Sequence, residues 1–394
     1  MRVDVVGGSY IEHCLDPEWD RLMGSGVRAA SAIARHADVT LHTVIGAAER
    51  EELLDFSAQR GFSLDAIAGD RTVSFDYVHP LSDPRISPRL DAINRRRITV
   101  EGEMVLVYGM LDADVVVNGG TVVYDPQSPH APTGFRRDGS SATRLAFLGN
   151  TREIMRLANA SDLDYAAEFV RSEQDVEVLI VKMGLRGCRV YCESGVSHVP
   201  AYRSSLSWTI GSGDLFAAAF CYFWGLHGLD APRAADGASR AVAVYAQYRS
   251  VPVISDELFA NPNLHAVRVQ EGRVYLAGPF FNLQQRWMIE EARAAFRRAG
   301  FEVASPLHDV GVVGTPDEIA NKDLKLLEGC DRVFALVDDG DIGTIFEVGW
   351  ARRHRLPVIA FGQRISQEDR KMLVGTGCEI VEDFASAVAA TVTL

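Results

Sequence analysis

The sequence predicts an α/β protein of two domains, each built around a mainly parallel sheet. Strand-like apolar runs alternate with segments of helical period along most of the 394 residues, a rhythm typical of parallel sheets covered by helices. The alternation lapses around 249–272, where Pro, Asn, Ser and Asp are typical of a connection. A chain of this length also exceeds one ordinary domain. We therefore expect one domain at 1–265 and another at 272–394.

The first series of elements opens on a strand. The first ten residues, Met-Arg-Val-Asp-Val-Val-Gly-Gly-Ser-Tyr, lack the long apolar run of a signal peptide and indicate a buried strand that enters a turn. Apolar runs predict strands near 3–7, 39–45, 114–117, 177–182 and 188–191. Helical periodicity predicts helices near 151–159 and 214–224.

The second series repeats the alternation on a smaller scale. Strands are expected near 273–277, 301–304, 332–337 and 357–361, and helices near 284–299, 316–328 and 344–354. In the first of these helices one face carries the apolar residues Ile289, Ala292, Phe296 and Ala299. Gly300 is the expected stop. The short connections imply a parallel sheet.

Composition excludes several classes of function. The net charge of −13 argues against a broad nucleic-acid surface, because such binding depends on Lys and Arg. No apolar stretch approaches about 18 residues, so we expect no membrane span. The six cysteines show neither a CxxC pair nor zinc-ligand spacing, which favours reduced thiols in a cytoplasmic protein. Small molecules are the expected partners.

A cluster of carboxylates follows one strand of the second series. The first strand there stops at Gly278, and ligands of open α/β sheets lie beyond the carboxyl ends of strands. Asp338, Asp339 and Asp341 are consistent with a solvated loop, one of them capping the next helix. Glu347 lies a turn inside an otherwise apolar helix, where an unpaired carboxylate is costly. Its position suggests hydrogen-bonded partners and a functional use.

Three ordered segments of this second series resemble signatures of the nucleoside 2-deoxyribosyltransferase family. They are Tyr275-Leu276-Ala277-Gly278-Pro279-Phe280-Phe281, Asn321-Lys322-Asp323 and Asp341-Ile342-Gly343-Thr344-Ile345-Phe346-Glu347-Val348-Gly349-Trp350-Ala351. The resemblance implies a small flavodoxin- or Rossmann-like parallel-sheet domain that needs no cofactor. It also implies that Gly278 and Phe280 line the substrate site.

The resemblance assigns catalytic roles to four residues. Glu347 would attack the anomeric carbon and form a glycosyl-enzyme intermediate, and Tyr275 would orient its carboxylate. Asp323 would handle the proton of the base, and Asp341 would contact the base. A carboxylate nucleophile divides glycosyl transfer into two easier steps, and the departing base needs a proton.

The resemblance leaves transfer and hydrolysis open. Transferases of this family recognise the sugar 5′-hydroxyl through a neighbouring subunit, and the chain end Ala-Ala-Thr-Val-Thr-Leu offers no obvious counterpart. Related members hydrolyse nucleoside 5′-monophosphates. Thr344 is then either a phosphate-binding residue at the helix N-terminus or a plain N-cap. The resemblance also implies a homo-oligomer.

A glycine turn in the first series suits a phosphoryl group. The turn Gly211-Ser212-Gly213 enters an apolar helix, so backbone N–H groups at its N-terminus face the same point. Asp214 follows, where it would take a proton from a hydroxyl nucleophile. A tight turn with an Asp N-cap is the structural alternative.

The same series resembles the ribokinase (PfkB-type) sugar kinase family over roughly 1–250. The resemblance rests on the glycine turn with Asp214, on Asn150-Thr151-Arg152-Glu153, on Lys182-Met183-Gly184-Leu185-Arg186-Gly187, and on the early Gly7-Gly8-Ser9 and Gly24-Ser25-Gly26. It implies a ribokinase-like α/β/α fold, ATP as phosphoryl donor, Mg²⁺ held indirectly by Glu153, and Gly184 on the nucleotide side.

Departures from the kinase pattern fall on the acceptor side. The expected early aspartate is absent, and Glu12 is the nearest acid. The expected asparagine falls at Arg28 or Ala29, and the Asp-Thr before the glycine turn is replaced by Ser-Trp-Thr. These changes favour an altered acceptor, with a non-catalytic module as the alternative.

The sequence thus predicts an enzyme that cleaves or exchanges an N-glycosidic bond, joined to an ATP-dependent sugar or nucleoside kinase. Two alternatives remain open. In one, a degenerate kinase-like module regulates the glycosidase. In the other, the kinase is the main activity and the second domain senses a nucleotide.

Overall fold

The chain forms two compact units in a computed structural model that describes residues 1–128, 131–311, 313–338 and 340–393. The larger unit comprises Met1–Ser204 and Trp208–Val267, and the smaller comprises Ser205–Ser207 and Arg268–Leu394. Both are α/β units built on sheets rich in parallel strands, so the predicted fold class is confirmed. The domain limits predicted from the sequence stay a prediction.

A long mixed sheet forms the centre of the larger unit. Its order within the described residues is β13-β12-β11-β10-β9-β8-β1-β4-β5, parallel except at one edge, where β12 pairs antiparallel with both β11 and β13. A smaller sheet has the order β3-β2-β6-β7. The strands are β1 (Arg2–Val6), β2 (Tyr10–Cys14), β3 (Trp19–Met23), β4 (Asp38–Ile45), β5 (Ser63–Ala68), β6 (Ser74–Tyr77), β7 (Arg85–Ser87), β8 (Arg96–Tyr108), β9 (Ala113–Asp125), β10 (Ser141–Asn150), β11 (Val178–Lys182), β12 (Cys188–Cys192) and β13 (Gly195–Val199).

Helices cover both faces of the long sheet, because its strands alternate apolar side chains between the two sides. In β8, Leu106 packs with α1, α5 and α6, whereas Val105 and Val107 pack with α3 and α4. The result is a three-layer α/β/α unit. The helices are α1 (Gly24–Ile33), α2 (Arg50–Arg60), α3 (Thr151–Leu157), α4 (Leu163–Gln174), α5 (Ser212–Phe220), α6 (Ala231–Tyr248) and α7 (Glu257–Ala260), and a π-helical segment (Cys221–Leu226) continues α5.

A five-stranded parallel sheet forms the centre of the smaller unit, with the order β15-β14-β16-β17-β18 within the described residues. On α8, Ile289, Ala292 and Phe296 are buried as predicted, and the helix ends before Gly300, whose φ is 85°. The elements are β14 (Arg273–Ala277), α8 (Leu283–Arg298), β15 (Glu302–Ala304), α9 (Pro306–Asp309), α10 (Pro316–Glu328), β16 (Arg332–Leu336), α11 (Ile342–Arg353), β17 (Val358–Phe361), α12 (Gln367–Gly375), β18 (Glu379–Val381) and α13 (Phe384–Val392).

Two composition-based expectations can be compared with the structure. None of the six cysteines forms a disulfide. Within the described part of the chain, the helices are too short or too polar to cross a membrane.

Candidate active site

The smaller unit has a topological switch point between β14 and β16. The chain leaves β14 for β15 on one side and then places β16 on the other, so the direction of winding reverses between β14 and β16. Ligands of open α/β sheets bind at such a reversal, outside the carboxyl ends of the strands. Helix α11 begins shortly after β16 and carries Glu347.

The carboxylate of Glu347 lies against the hydroxyl of Tyr275. Tyr275 is fully buried on β14, and its O–H donates to Glu347 Oε1 at 2.6 Å. Burial raises the pKa of Tyr275 well above its ordinary value, and the negative charge of Glu347 adds to this effect, so Tyr275 stays the donor. Burial also raises the pKa of Glu347 to about 7, although the hydrogen bond from Tyr275 opposes that rise.

Asp323 and Asp341 bring two more carboxylates to this site. Asp323 is half-buried on α10, and its Oδ1 atom is buried without a hydrogen-bond partner among the described residues. Burial raises the pKa of Asp323. Besides burial, the charges of Asp323 and Asp341 raise the pKa of Glu347. The structure therefore brings together all four residues for which the sequence predicts a catalytic role in this unit.

Asp341 is the N-cap of α11. Its Oδ2 atom accepts hydrogen bonds from the N–H of Thr344 at 2.7 Å and from its hydroxyl at 2.8 Å. The cap is thus Asp341 rather than Thr344, and both donors of the buried Thr344 are engaged within the protein. Asp338 is exposed and accepts from the N–H of Arg364 at 2.6 Å, whereas Asp339 lies outside the described residues.

The turn after β14 holds the two predicted substrate-lining residues. A Cβ atom on Gly278 would lie 3.0 Å from Cδ1 of Ile289 and 3.1 Å from Cβ of Leu336, so a larger residue would require both neighbours to shift. Phe280 is half-buried, and its carbonyl accepts from Nε of Arg286 at 2.8 Å. The turn is therefore held closely against α8 and β16.

In the larger unit, polar residues end three neighbouring parallel strands. Asp125 ends β9, Asn150 ends β10 and Lys182 ends β11, and Asn150 pairs in register with Lys182. The ammonium of Lys182 forms an ion pair with the fully buried Asp125. Burial raises the pKa of Asp125 to about 7, although Lys182 opposes this rise. The Oδ1 atom of Asp125 has no hydrogen-bond partner among the described residues.

Asn150 and Glu153 form a capping box at the start of α3. The side chain of Asn150 accepts from the N–H of Glu153 at 3.0 Å, and the carboxylate of Glu153 accepts from the N–H of Asn150 at 2.8 Å. The negative charge of Glu153 contributes to the raised pKa values of both Asp125 and Lys182. The predicted Asn-x-x-Glu element therefore adjoins the Lys182–Asp125 pair.

The glycine turn opens α5 and faces the same pair. Gly211 is the N-cap with a φ of 73°, a left-handed conformation that favours glycine, and Ser212 begins the helix. A Cβ atom on Gly213 would lie 3.5 Å from Nζ of Lys182. Gly184, with a φ of 59°, lies in a short 3₁₀ turn that follows β11. The backbone N–H groups at the start of α5 thus have a cation beside them.

The acceptor side of the glycine turn contains a buried arginine. Arg28 pairs with Asp214 at 2.5 Å and with Glu12 at 2.7 Å. Gln127 donates to the other oxygen of Asp214. The second oxygen of Glu12 accepts from the N–H of Gly24 at 3.1 Å. Both predicted acids on this side are therefore bonded to the protein itself.

Four residues of this region were not assigned a role from the sequence: Arg28, Asp125, Gln127 and Lys182. Asp125 had a usable signal, because an acid directly after the apolar run Thr-Val-Val-Tyr marks the carboxyl end of a strand. Arg28 had one too, since it is the charged residue in a run of small and apolar residues, Gly-Ser-Gly-Val-Arg-Ala-Ala-Ser-Ala-Ile. Gln127 had none.

Comparison with known families agrees with this division of the chain. The model of the nucleoside 2-deoxyribosyltransferase family matches residues 274–385, and that of the pfkB family carbohydrate kinases matches residues 117–254. One segment of the chain is therefore similar to the pfkB family carbohydrate kinases, and a later segment is similar to the nucleoside 2-deoxyribosyltransferases. Both predicted resemblances and their order are confirmed.

The solved structures to which this chain is similar include a ribokinase, a riboside kinase and a fructokinase. Ribokinase from Thermotoga maritima is 17% identical, with a TM-score of 0.47 over 66% of this chain and 98% of that chain. Aminoimidazole riboside kinase from Salmonella enterica and fructokinase from Vibrio cholerae are each 14% identical, with a TM-score of 0.48 over 66% of this chain and 98% of theirs. Among curated proteins none matches the chain.

Proposed function

We propose that residues 272–394 form a catalytic domain that cleaves or exchanges the N-glycosidic bond of a nucleoside or a nucleoside 5′-monophosphate. The observation that carries this proposal is the hydrogen bond of 2.6 Å from Tyr275 to Glu347. It holds a carboxylate of raised pKa near a second carboxyl, Asp323, whose Oδ1 atom has no hydrogen-bond partner among the described residues. Cleavage of a glycosidic bond commonly uses two carboxyl groups, one protonated and one ionised, and their different surroundings set these two states.

In the proposed reaction Glu347 acts as the nucleophile. One oxygen of its carboxylate is bound by Tyr275, so the other is directed to the anomeric carbon. A bond forms between that oxygen and the anomeric carbon as the bond to the base nitrogen breaks, and the base leaves with the electron pair. Water or an acceptor base then attacks the same carbon and releases Glu347.

Asp323 supplies the proton that the departing base requires. Burial raises the pKa of Glu347 to about 7, and the charge of Asp323 adds to this rise. The pair therefore keeps one proton up to a pH of about 7. The Tyr275 hydrogen bond favours the ionised form of Glu347, and burial raises the pKa of Asp323, which favours its protonated form. The singly protonated pair is thus the reactive state.

Replacing Tyr275 by phenylalanine is expected to lower kcat about tenfold, because a hydrogen bond to the charged nucleophile is lost. That bond also lowers the pKa of Glu347, so its loss should raise it further. The decline of activity above a pH of about 7 should then move to higher pH. Rate–pH profiles of both proteins test this. A lower rate with an unmoved profile would mean that Tyr275 only supports the fold.

The test of the proposal is chromatographic detection of free base. The protein is incubated with nucleosides and 5′-monophosphates, with and without an acceptor base, beside the Glu347→Ala variant. Base released without an acceptor identifies a hydrolase, and product formed only with an acceptor identifies a transferase. The proposal would be overturned if none of the substrates released base, or if base release survived the Glu347→Ala change.

We also propose that residues 1–265 bind the phosphoryl end of ATP at the turn Gly211-Ser212-Gly213. The observation that favours this is the Lys182 ammonium beside that turn, because a cation and helix N–H groups together suit a phosphate. Within the described residues no group of three or more His, Cys, Asp or Glu surrounds a metal position. Mg²⁺ commonly takes one or two carboxylates together with phosphate oxygens. Oδ1 of Asp125, which has no hydrogen-bond partner in the described part of the chain, lies beside Glu153 and fits that pattern. Mg²⁺ bound there would neutralise phosphate charge.

A further inference from the structure

Arg28 is a charged residue in a helix that is otherwise buried and uncharged. Every residue of α1 is buried, and the side chain of Arg28 has no exposed surface. Four of its five N–H groups are bonded: to Tyr245 at 3.0 Å, to the carbonyl of Gly24 at 3.3 Å, to Asp214 at 2.5 Å and to Glu12 at 2.7 Å. A guanidinium with this many partners is an integral part of the fold.

The position of Arg28 matters because it adjoins the glycine turn. A Cβ atom on Gly211 would overlap the guanidinium, so the group packs directly on the backbone that precedes α5. Gly211 thus satisfies two requirements at once, a left-handed conformation and space for Arg28.

Asp214 has both carboxylate oxygens engaged by side chains. Oδ2 accepts from Arg28 and Oδ1 accepts from Gln127, while Tyr108 donates to its backbone carbonyl at 2.6 Å. A general base needs a lone pair that can reach the hydroxyl proton of the acceptor. An acceptor hydroxyl would have to displace Gln127 or break a nearly buried ion pair, and a neutral alcohol offers little in exchange.

We infer that Arg28 takes the place of an acceptor alcohol at Asp214, so that this unit does not phosphorylate sugars or nucleosides. The inference goes further than the proposed binding of ATP. It rests on that proposal only for the identity of the phosphoryl donor. Arg28 thereby excludes acceptors, and the unit acts as a nucleotide-binding module rather than as a kinase. Glu12 completes the arrangement by pairing with the same guanidinium.

The first test measures phosphoryl transfer by the full-length protein. It is incubated with MgATP and a panel of pentoses, hexoses, inositols and ribonucleosides, and phosphorylated product is sought by mass spectrometry. No phosphorylated alcohol is expected. The inference would be overturned if a phosphorylated alcohol formed over repeated turnovers of the protein and was no longer formed by the Asp214→Asn variant.

The second test measures whether Asp214 is a structural partner of Arg28. Asp214→Asn should raise the local unfolding equilibrium constant ~100-fold, because it leaves a buried guanidinium without one of its two carboxylates. The matched control is Asp230→Asn, since Asp230 caps α6 through the N–H of Arg233 and asparagine caps equally well. Hydrogen exchange of peptides from α1 and α5 reports on this unit. Protection in Asp214→Asn equal to that of the control would overturn the inference.

A third readout separates the inference from the proposal on which it rests. MgATP should raise the melting temperature of the wild-type protein, and the shift should shrink in Lys182→Ala. Absence of any shift would end the proposal of ATP binding. The product and hydrogen-exchange results would still decide the role of Arg28.

Discussion

Glu347→Gln should lower base release at least about a thousandfold, because an amide has neither the charge nor the nucleophilicity of a carboxylate. The replacement keeps the size of the side chain and an oxygen that still accepts the hydrogen bond from Tyr275. The loss should therefore fall on kcat, with KM little changed, and the melting temperature should stay near that of the wild type. Steady-state kinetics with a chromatographic assay measure it.

The matched control for this change is Glu328→Gln. Glu328 is exposed at the end of the neighbouring helix α10 and accepts a hydrogen bond from Trp350 on α11 at 3.2 Å. It therefore resembles Glu347 in chemistry and location while lying at the surface. Near-normal activity is expected of this control. If both variants lose activity equally, the damage lies in the packing of α10 and α11 and Glu347 is not the nucleophile.

A covalent intermediate gives an independent check of the same role. Digestion of the protein after rapid quenching with a slow substrate should yield a peptide containing Glu347 that is heavier by one glycosyl residue. The Glu347→Gln protein should yield only the unmodified peptide. Base release without any such adduct would favour direct displacement by water, with Glu347 as a general base.

Much of the smaller unit was predictable because its signals are local. A strand that stops at Gly278 and a helix that holds Glu347 among apolar residues can each be recognised without knowing the fold. The parallel topology then brings β14 beside β16, and Tyr275 meets Glu347 although 72 positions separate them. The sequence does not decide between Thr344 and the nearby acids as the N-cap, since the choice depends on the bend of the backbone at Asp341.

The acceptor side of the larger unit was less predictable because its contacts are long-range. Arg28 and Asp214 are 186 positions apart, and Gln127 and Asp214 are 87 apart. Nothing near any of these residues specifies its partner. The small sheet was also missed, since β2 alternates buried and half-buried residues and includes Glu12 and His13, so it is no apolar run.

Asp323→Asn should lower base release from ordinary nucleosides by about a hundred- to ten-thousandfold, the usual contribution of a general acid. The size of the loss should depend on the leaving group. A 7-methylpurine nucleoside already carries a positive charge on its base, which therefore departs without a further proton. This substrate should lose little activity in Asp323→Asn, whereas Glu347→Gln should lose activity on both substrates.

The pH dependence should separate the same two substrates. Since the carboxyl pair keeps its proton up to a pH of about 7, release from ordinary nucleosides should decline as the pH rises through that value. The methylated substrate needs only ionised Glu347, which the singly protonated pair already supplies, so its release should stay level over the same interval. In Asp323→Asn a negative charge that raises the pKa of Glu347 is gone, so release of the methylated base should reach its plateau at lower pH. Parallel profiles for the two substrates would contradict the role of Asp323 as the acid, because its proton would then matter equally to both.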